Sequence, residues 1–507
     1  MDAPAADTEQ SNWLSLPVLV VLLLVLVAIR VFAAAHSGLA FDEGYYTFWS
    51  EGLQPGYLDH PPAVAFMIAA GRAIFGDNEL GVRAFAIVSG VLLSVLLWRM
   101  GALLLGRRAA TLAVILYNTA PVAALGIVMT PDPPSTLFWT ATLWAVAEFV
   151  VSRKASWWLV AGIMAGLGLW SKYTVAFLGV GLPLYLLVSA ERRRWLRLWQ
   201  VWAGGALALA VFSPVIWWNW RHGWASFRFQ GQRTLVDAFG QNFLGNLGDF
   251  LSVQALYMAP VVFGFAIAGI VVCLLQRGCA ARALDLVVWT GLPALAYFLF
   301  HTLHGFVDGN WLMPLWPPLT LAAAWLLLEL FDRRRGLAIA ALALQLALGI
   351  APMLAFYIQA VWQPWNLGAI DRTNETRGWH PLQQQLESLA AANGARWIAT
   401  AGNYGVTGQL AAYTLFAHSA LPVRQVDEAE RWRFLAPLDP ALATAPALFV
   451  RPEPNPANPA PPAAFASARL LAVTHREDTG TPPESWSVFL VENPLPAALR
   501  TLTEPLP

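Results

Sequence analysis

Four ionisable side chains fall within one short stretch, FDEGYYTFWSEGLQPGYLDHPPAVAF, which runs from residue 41 to residue 66. Asp42 and Glu43 open the stretch, and Asp59 and His60 stand before a Pro-Pro pair. The stretch directly follows a long apolar run, where a charged side chain is costly and is therefore a functional candidate. A carboxylate in such a place can act as a general base, and a nearby cation can hold a phosphate.

Further ionisable side chains fall at the ends of other apolar runs, on the same predicted side as this stretch: Arg83, Asp132, Lys172 and Arg221. Each has a simpler structural interpretation. An Asp before a helix can be only an N-cap, which applies to Asp42 and Asp132, and Lys172 can extend to the membrane interface. What favours a functional interpretation is the convergence of acids and bases from distant segments.

Other polar residues on that side favour a structural interpretation. We interpret His222, Arg228 and Arg233 as a solvated amphipathic loop, and His301 and His304 as core or interfacial histidines.

The composition is that of a polytopic membrane protein. Hydrophobic residues make up 57% of the 507 positions and charged residues only 12%, with a mean hydropathy of +0.53. Soluble domains usually carry about 25% charged residues. The formal net charge is zero, so the sequence predicts no nucleic-acid partner. Cys273 and Cys279 are too few for a disulfide framework or a zinc cluster.

Apolar runs predict an all-α membrane domain of about eleven transmembrane helices. The predicted spans are 14–35, 80–104, 109–129, 133–151, 156–170, 173–189, 198–218, 249–275, 283–303, 310–330 and 336–359. The first is interpreted as a retained span because it is too long for a signal peptide and no basic residue precedes it. The pair 156–170 and 173–189 is hinged at WSKY, so it is either two spans or one re-entrant element.

Five short Arg-rich loops set the predicted orientation, because basic residues are enriched in cytoplasmic loops. With eleven spans all five fall on one side: 106–108, 152–156, 191–197, 276–282 and 332–336. The first outer loop, 36–79, then lies outside. The sequence therefore predicts a transmembrane domain over 1–360 and an extracytoplasmic α/β domain over 361–507, in which GARWIATAGNYGVTGQLAAYTLF is a strand, a turn and a helix.

The ordered set of motifs resembles the type C glycosyltransferases, in particular the bacterial branch of the protein O-mannosyltransferase and aminoarabinose transferase superfamily. The likeness covers about residues 14–330. It rests on the acidic pair in FDEGYYTFWSEGL, on Asp59-His60-Pro-Pro, on Arg83 in GVRAFAIVSG, on Asp132 in MTPDPP, on Lys172 in GLGLWSKYTVAF and on GNWLMPLWPPLTLAAAW. Aminoarabinose transferases have Lys where this chain has His60, which weakens the case for aminoarabinose as the donor sugar.

The resemblance implies an integral protein of the bacterial inner membrane that uses a polyprenyl-phosphate-linked monosaccharide. Transfer would occur on the periplasmic face with inversion at the anomeric carbon. The family does not fix the acceptor; lipid A, the lipopolysaccharide core or another envelope lipid or glycan is favoured over protein.

The chemistry of inverting glycosyl transfer suggests a role for each candidate residue. Inverting transfer to a hydroxyl needs a base, and the leaving phosphate needs positive charge. Asp42 is the predicted base, and Glu43 is predicted to orient Asp42 or the sugar; neighbouring positions on a helix point about 100° apart, so the two acids cannot duplicate each other. The predicted ligands of the donor phosphate are His60, Lys172 and Arg221. The residues predicted to position substrate are Asp59, Arg83, Asp132 and Trp311. A divalent cation could bridge acids and phosphate, although no ligand spacing demands one. The loop GNYG (402–405) is predicted to face the site.

Two other classes of function stay open at this point. One is a transporter or lipid flippase with a periplasmic domain, although such proteins usually place charges near the bilayer midplane. The other is a noncatalytic membrane scaffold whose outer domain binds a partner. Replacement of Asp42 should abolish the activity of an enzyme and leave a scaffold unaffected.

Overall fold

The protein is seen in a computed structural model that describes residues 15–234, 242–275, 279–432, 434–477 and 483–504. The side chain of Arg233 and the start of the basic loop 276–282 lie outside the described part of the chain.

Helices dominate the first three quarters of the chain, as the apolar runs predict. The α-helices there are Leu16–His36, Phe41–Trp49, Ala63–Phe75, Glu79–Leu105, Arg107–Asn118, Asp132–Ser152, Trp157–Ser171, Leu178–Leu187, Ala190–Arg193, Trp199–Arg221, Ala225–Thr234, Phe243–Met258, Pro260–Leu275, Cys279–His301, Trp316–Arg333 and Arg335–Trp362. Short 3₁₀ turns connect them at Pro121–Ile127, Tyr173–Phe177, Arg194–Arg197 and Gly309–Leu315.

Length and composition identify the helices that can cross a membrane. Among the described residues, seven helices pass this test, and three bent pairs raise the number to ten if each pair is one span. The predicted span 156–170 is the helix Trp157–Ser171, whose 15 residues reach only ~22 Å of a ~30 Å hydrocarbon core. The prediction of a polytopic helical membrane protein is confirmed, with seven to ten candidate spans instead of about eleven.

The hinge predicted at WSKY is a real break in the helix. The helix Trp157–Ser171 ends at Lys172, whose backbone is extended (φ −154°, ψ 137°). The 3₁₀ turn Tyr173–Phe177 and the helix Leu178–Leu187 follow. The two apolar halves are therefore separate helices.

Packing divides the chain into two compact units. The helical unit contains the described residues up to Arg30, Ala86–Ile127 and Pro131–Ala355; the mixed unit contains Val31–Phe85, Val128–Thr130 and the described residues from Phe356 onward. The predicted first outer loop thus packs with the C-terminal residues. The functional boundary at residue 360 stays a prediction.

The C-terminal part of the mixed unit is a small α/β fold. In the described part of the chain its strands are β1 (Trp397–Thr400), β2 (Val423–Gln425), β3 (Ala447–Pro452), β4 (Phe465–Arg476) and β5 (Glu484–Pro494). They form one sheet in the order β2-β1-β3-β5-β4. The pairs β1–β2 and β1–β3 are parallel, whereas β3–β5 and β5–β4 are antiparallel.

The helices of this fold are Trp379–Asn393, Tyr404–Phe416, Pro440–Ala443 and Pro496–Thr503. Tyr404–Phe416 connects the parallel strands β1 and β2, as a parallel pair requires. The strand, turn and helix predicted from GARWIATAGNYGVTGQLAAYTLF are therefore present.

Candidate active site

The acidic pair lies on the short helix Phe41–Trp49, which we call the acidic helix. Its N-cap is Ala40, whose backbone N–H donates to the Glu43 carboxylate at 2.9 Å. Asp42 is therefore inside the first turn of the helix, where a negative charge is favoured by the helix dipole. The N-cap interpretation of Asp42 is wrong. It is also wrong for Asp132, because Pro131 precedes the helix there as its cap.

Glu43 is fully buried, and its carboxylate is bonded on both oxygens. Arg83 donates to it from Nε at 2.8 Å and from Nη2 at 2.6 Å. The backbone N–H of Met129 adds a third donor at 2.8 Å. Because Glu43 is 0% exposed and Arg83 only 2% exposed, this is a buried bidentate ion pair with little room for another ligand.

Arg83 also ties the acidic helix to the end of the preceding long helix. Its Nη1 donates to the carbonyl of Ala34 and to both the carbonyl and hydroxyl oxygens of Ser37, and its Nη2 donates to the Gly38 carbonyl. One guanidinium thus fixes the connection between the two helices. Arg83 therefore braces the acidic helix, and its role in positioning substrate stays a prediction.

Asp42, one position before Glu43, faces a different neighbour. Its carboxylate is half-buried and accepts a 2.9 Å hydrogen bond from the Tyr404 hydroxyl. Burial and the negative charge of Asp42 raise the pKa of Tyr404, so the phenol keeps its proton and donates. Consecutive helix positions point about 100° apart, and the two carboxylates accordingly have separate partners.

Two glycines allow the acidic helix to approach the Tyr404–Phe416 helix closely. A Cβ atom on Gly44 would lie 2.9 Å from the Gln409 backbone nitrogen, and one on Gly408 would lie 2.5 Å from the Tyr45 nitrogen. Any larger residue would push the helices apart. The contact places Tyr404, within the predicted loop GNYG, beside Asp42.

A second carboxylate of the stretch, Asp59, is also buried and paired. Tyr45 donates to it at 2.8 Å, and Arg431 forms an ion pair with its other oxygen. The Arg431 guanidinium also lies 4.4 Å from the centre of the Tyr404 ring. Burial lowers the pKa of Arg431, but the charge of Asp59, together with Tyr45, Glu428 and the hydrogen bond to Asp59, raises it overall. Asp42 and Asp59 thus belong to one network through Tyr404 and Arg431.

His60, the neighbour of Asp59, is half-buried, and its ring packs edge-on to Tyr46 with centroids 6.2 Å apart. The structure thus places Asp42, Glu43, Asp59, His60 and Arg83 in the mixed unit.

The remaining predicted site residues lie in the helical unit. Lys172, 6% exposed, forms a 2.5 Å ion pair with Asp132, which is 4% exposed. Asn310 donates to the other Asp132 oxygen at 2.8 Å. The interpretation of Lys172 as a side chain that extends to the interface is wrong, because its ammonium is buried against a carboxylate.

Trp311 follows Asn310 in the chain, and its ring packs 5.6 Å from His301 and 5.7 Å from Phe298. His301 is buried, as expected for a core histidine. Arg221 is exposed at the end of the helix Trp199–Arg221 and lies over the Trp217 ring at 5.9 Å.

Sequence reasoning missed Arg431 and treated Tyr404 only as part of a loop. Arg431 sits in the charged run EAERWRF, which looks like a solvated surface, and no local signal separates it from its neighbours. Among the described residues, no group of three or more His, Cys, Asp and Glu side chains is arranged to hold a metal ion.

Comparisons with known proteins find related sequences and a similar fold. Residues 59–218 match the family described as dolichyl-phosphate-mannose-protein mannosyltransferase. The chain is 27% identical over 288 residues to the lipid A galacturonosyltransferase RgtD of Rhizobium johnstonii, a match that covers 56% of this chain and 60% of that protein.

A second relative is the undecaprenyl phosphate-alpha-4-amino-4-deoxy-L-arabinose arabinosyl transferase of Erwinia tasmaniensis, 23% identical over 419 residues. That match covers 76% of this chain and 71% of that protein.

Among solved structures, ArnT from Cupriavidus metallidurans in the apo state superimposes with a TM-score of 0.67 at 16% identity. The superposition covers 92% of this chain and 97% of the ArnT chain. ArnT bound to undecaprenyl phosphate gives a TM-score of 0.65, with 94% and 98% covered. The fold is therefore that of the type C glycosyltransferases, and the resemblance inferred from the motifs is confirmed.

Proposed function

We propose that this protein is a membrane glycosyltransferase that moves a monosaccharide from a polyprenyl-phosphate donor to an acceptor hydroxyl. The observation that carries the proposal is that the two neighbouring acids of one helix have different environments. Glu43 is buried against Arg83, whereas Asp42 stays half-exposed and is held by a tyrosine hydroxyl. A held but accessible carboxylate is what a general base requires.

In the proposed reaction, the acceptor hydroxyl loses its proton to the Asp42 carboxylate. The acceptor oxygen bonds to the anomeric carbon, while the bond from that carbon to the phosphate oxygen breaks and its electron pair leaves with the phosphate. Attack opposite the leaving group inverts the anomeric centre. Glu43 and Arg83 act as positioning residues, because their ion pair fixes the helix that carries Asp42.

The leaving polyprenyl phosphate needs positive charge. His60 is proposed to supply it beside Asp59, and Lys172 and Arg221 are proposed as further phosphate-binding cations. Asp132 holds Lys172 in place. Trp311 is likewise proposed to position substrate.

The names of the relatives favour an undecaprenyl-phosphate-linked donor and a lipid A acceptor. The match to RgtD covers 60% of that protein, so the sugar and the acceptor of this chain are proposals.

The protein is proposed to lie in the bacterial inner membrane with the acidic helix on the periplasmic side. A reporter fused after residue 365 should then behave as periplasmic, and one fused within 191–197 as cytoplasmic; the reverse would refute this orientation.

The direct test is transfer from a purified lipid-linked sugar to lipid A in detergent, with products identified by mass spectrometry. A positioned base contributes typically 10²–10⁴-fold in rate, so we expect Asp42→Asn to lose at least a hundredfold while melting normally. Asp77→Asn is the matched control, because Asp77 lies in the same predicted outer loop and pairs with Arg72. Near-normal turnover of Asp42→Asn would exclude the proposed base.

A further inference from the structure

A third carboxylate, Glu375, lies on a short turn of the mixed unit, Arg372–Thr376. The turn is fixed from both ends. Asp371 accepts bonds from the backbone and hydroxyl of Thr373, and it pairs with Arg377. On the other side, Arg476 of strand β4 donates to the carbonyls of Asn374 and Arg377 at 3.0 and 2.9 Å.

This turn rests on the residues that lead into the acidic helix. A Cβ atom on Gly38 would lie 1.8 Å from the Thr376 carbonyl oxygen, so only glycine permits the approach. Trp379 donates from its indole nitrogen to the Glu375 carbonyl at 2.7 Å, and its ring packs edge-on to Phe41 at 6.1 Å. Phe41 is the residue directly before Asp42.

The charges that face Glu375 come from three elements. Asp42 and Glu43 of the acidic helix act on it with negative charge, and Arg372 of its own turn and Arg476 of strand β4 act with positive charge. Arg83 neutralises Glu43 through the buried ion pair, which leaves Asp42 as the acid whose charge Glu375 can modulate. Among the described residues, the Glu375 carboxylate makes no hydrogen bond or ion pair of its own.

Burial first, and then the charges of Asp42 and Glu43, raise the pKa of Glu375 to about 7, while Arg372 and Arg476 lower it. The carboxyl therefore changes charge within the physiological pH range. A group that titrates beside a base alters the strength of that base.

We propose that Glu375 is a positioning residue for Asp42, and that its negative charge strengthens Asp42 as the general base. The inference rests on the proposed glycosyl transfer. When Glu375 is neutral, Asp42 binds a proton less tightly and takes it from the acceptor less readily. When Glu375 is ionised, the second negative charge makes Asp42 the stronger base.

The test compares kcat/KM for transfer as a function of pH in the wild type, in Glu375→Gln and in Glu387→Gln. Glutamine imitates the neutral carboxyl. We expect the wild-type rate to rise roughly threefold from about pH 6 to about pH 8, and Glu375→Gln to stay near the lower value throughout. Glu387, on the helix Trp379–Asn393, is the control carboxyl, and its replacement should leave the wild-type profile.

A second readout does not depend on activity. In a detergent without ester groups, the infrared band of a protonated carboxyl should disappear between about pH 6 and about pH 8 in the wild type and be missing in Glu375→Gln. The inference would be overturned if Glu375→Gln lowered kcat/KM by the same factor at every pH, so that its profile ran parallel to that of the wild type. So would an unchanged infrared band. A wild type that titrates as expected but transfers no sugar would instead refute the proposed function.

Discussion

The hydroxyl of Tyr404 donates a 2.9 Å hydrogen bond to the Asp42 carboxylate, although 362 positions separate the two residues in the chain. The bond joins the C-terminal α/β fold to the acidic helix within the mixed unit. It restricts the direction in which the Asp42 carboxylate points, and a misplacement of about 1 Å can cost about a hundredfold in rate.

Tyr404→Phe should lower the transfer rate about tenfold, because a hydrogen bond to a charged group contributes about 1.5–3 kcal/mol and part of it holds the base in place. The Arg431 guanidinium can still stack on the phenyl ring. Tyr57→Phe is the control, because among the described residues its hydroxyl bonds to backbone groups, at Trp49, Gly52 and Gln54. If both variants lose the same activity, the bond to Asp42 has no special role.

Glu43→Gln should destabilise the protein by about 3–5 kcal/mol, because it leaves the buried Arg83 guanidinium without its counter-ion. The control is Glu51→Gln. Glu51 also pairs with an arginine, Arg72, but is 41% exposed, so its loss should cost at most about 1 kcal/mol. Thermal unfolding in detergent measures both. Equal melting temperatures for the two variants would contradict the assignment of Glu43 as a buried structural acid.

The Lys172–Asp132 pair allows stability and function to be separated. Lys172→Met alone leaves Asp132 buried and charged, which should cost about 3–5 kcal/mol. The double variant Lys172→Met, Asp132→Asn removes both charges and should regain most of this stability. If Lys172 binds the donor phosphate, the double variant melts normally but transfers poorly. Restored transfer would exclude Lys172 from donor binding.

His60 is proposed to meet the donor phosphate as a cation. His60→Lys should therefore retain measurable transfer, whereas His60→Ala should lose more, with the difference appearing mainly in the KM for the lipid-linked sugar. A lysine keeps its charge at high pH whereas a histidine loses it, so the wild type and His60→Lys should differ most at high pH. Full activity of His60→Ala would place the phosphate contact elsewhere.

Glu375 should also affect stability as a function of pH. The folded state raises its pKa from 4.5 to about 7, so the folded protein binds more protons than the unfolded chain between those values. The contribution of Glu375 to the free energy of unfolding is fully present below the unfolded pKa of 4.5 and is lost as pH rises through about 7. Glu375→Gln should therefore be more stable than wild type above pH 7, by about 1–3 kcal/mol, and lose this advantage near pH 4. A constant difference across pH would contradict a raised pKa.

The sequence alone determined what depends on neighbouring residues. Apolar runs of about 20 residues predict membrane helices, and the short helix at Phe41–Trp49 and the strand and helix around GNYG follow from local pattern. Consecutive helix positions point apart, so the sequence also indicated that Asp42 and Glu43 could not have the same role.

Tertiary structure decided which partner each acid meets. Arg431 reaches Asp59 across 372 positions, and Glu375 acts on Asp42 from a turn whose sequence gives no sign of it. Such pairs depend on the close approach of backbones at Gly38, Gly44 and Gly408. Local periodicity cannot encode these contacts, because packing between distant segments selects them only once the chain has folded.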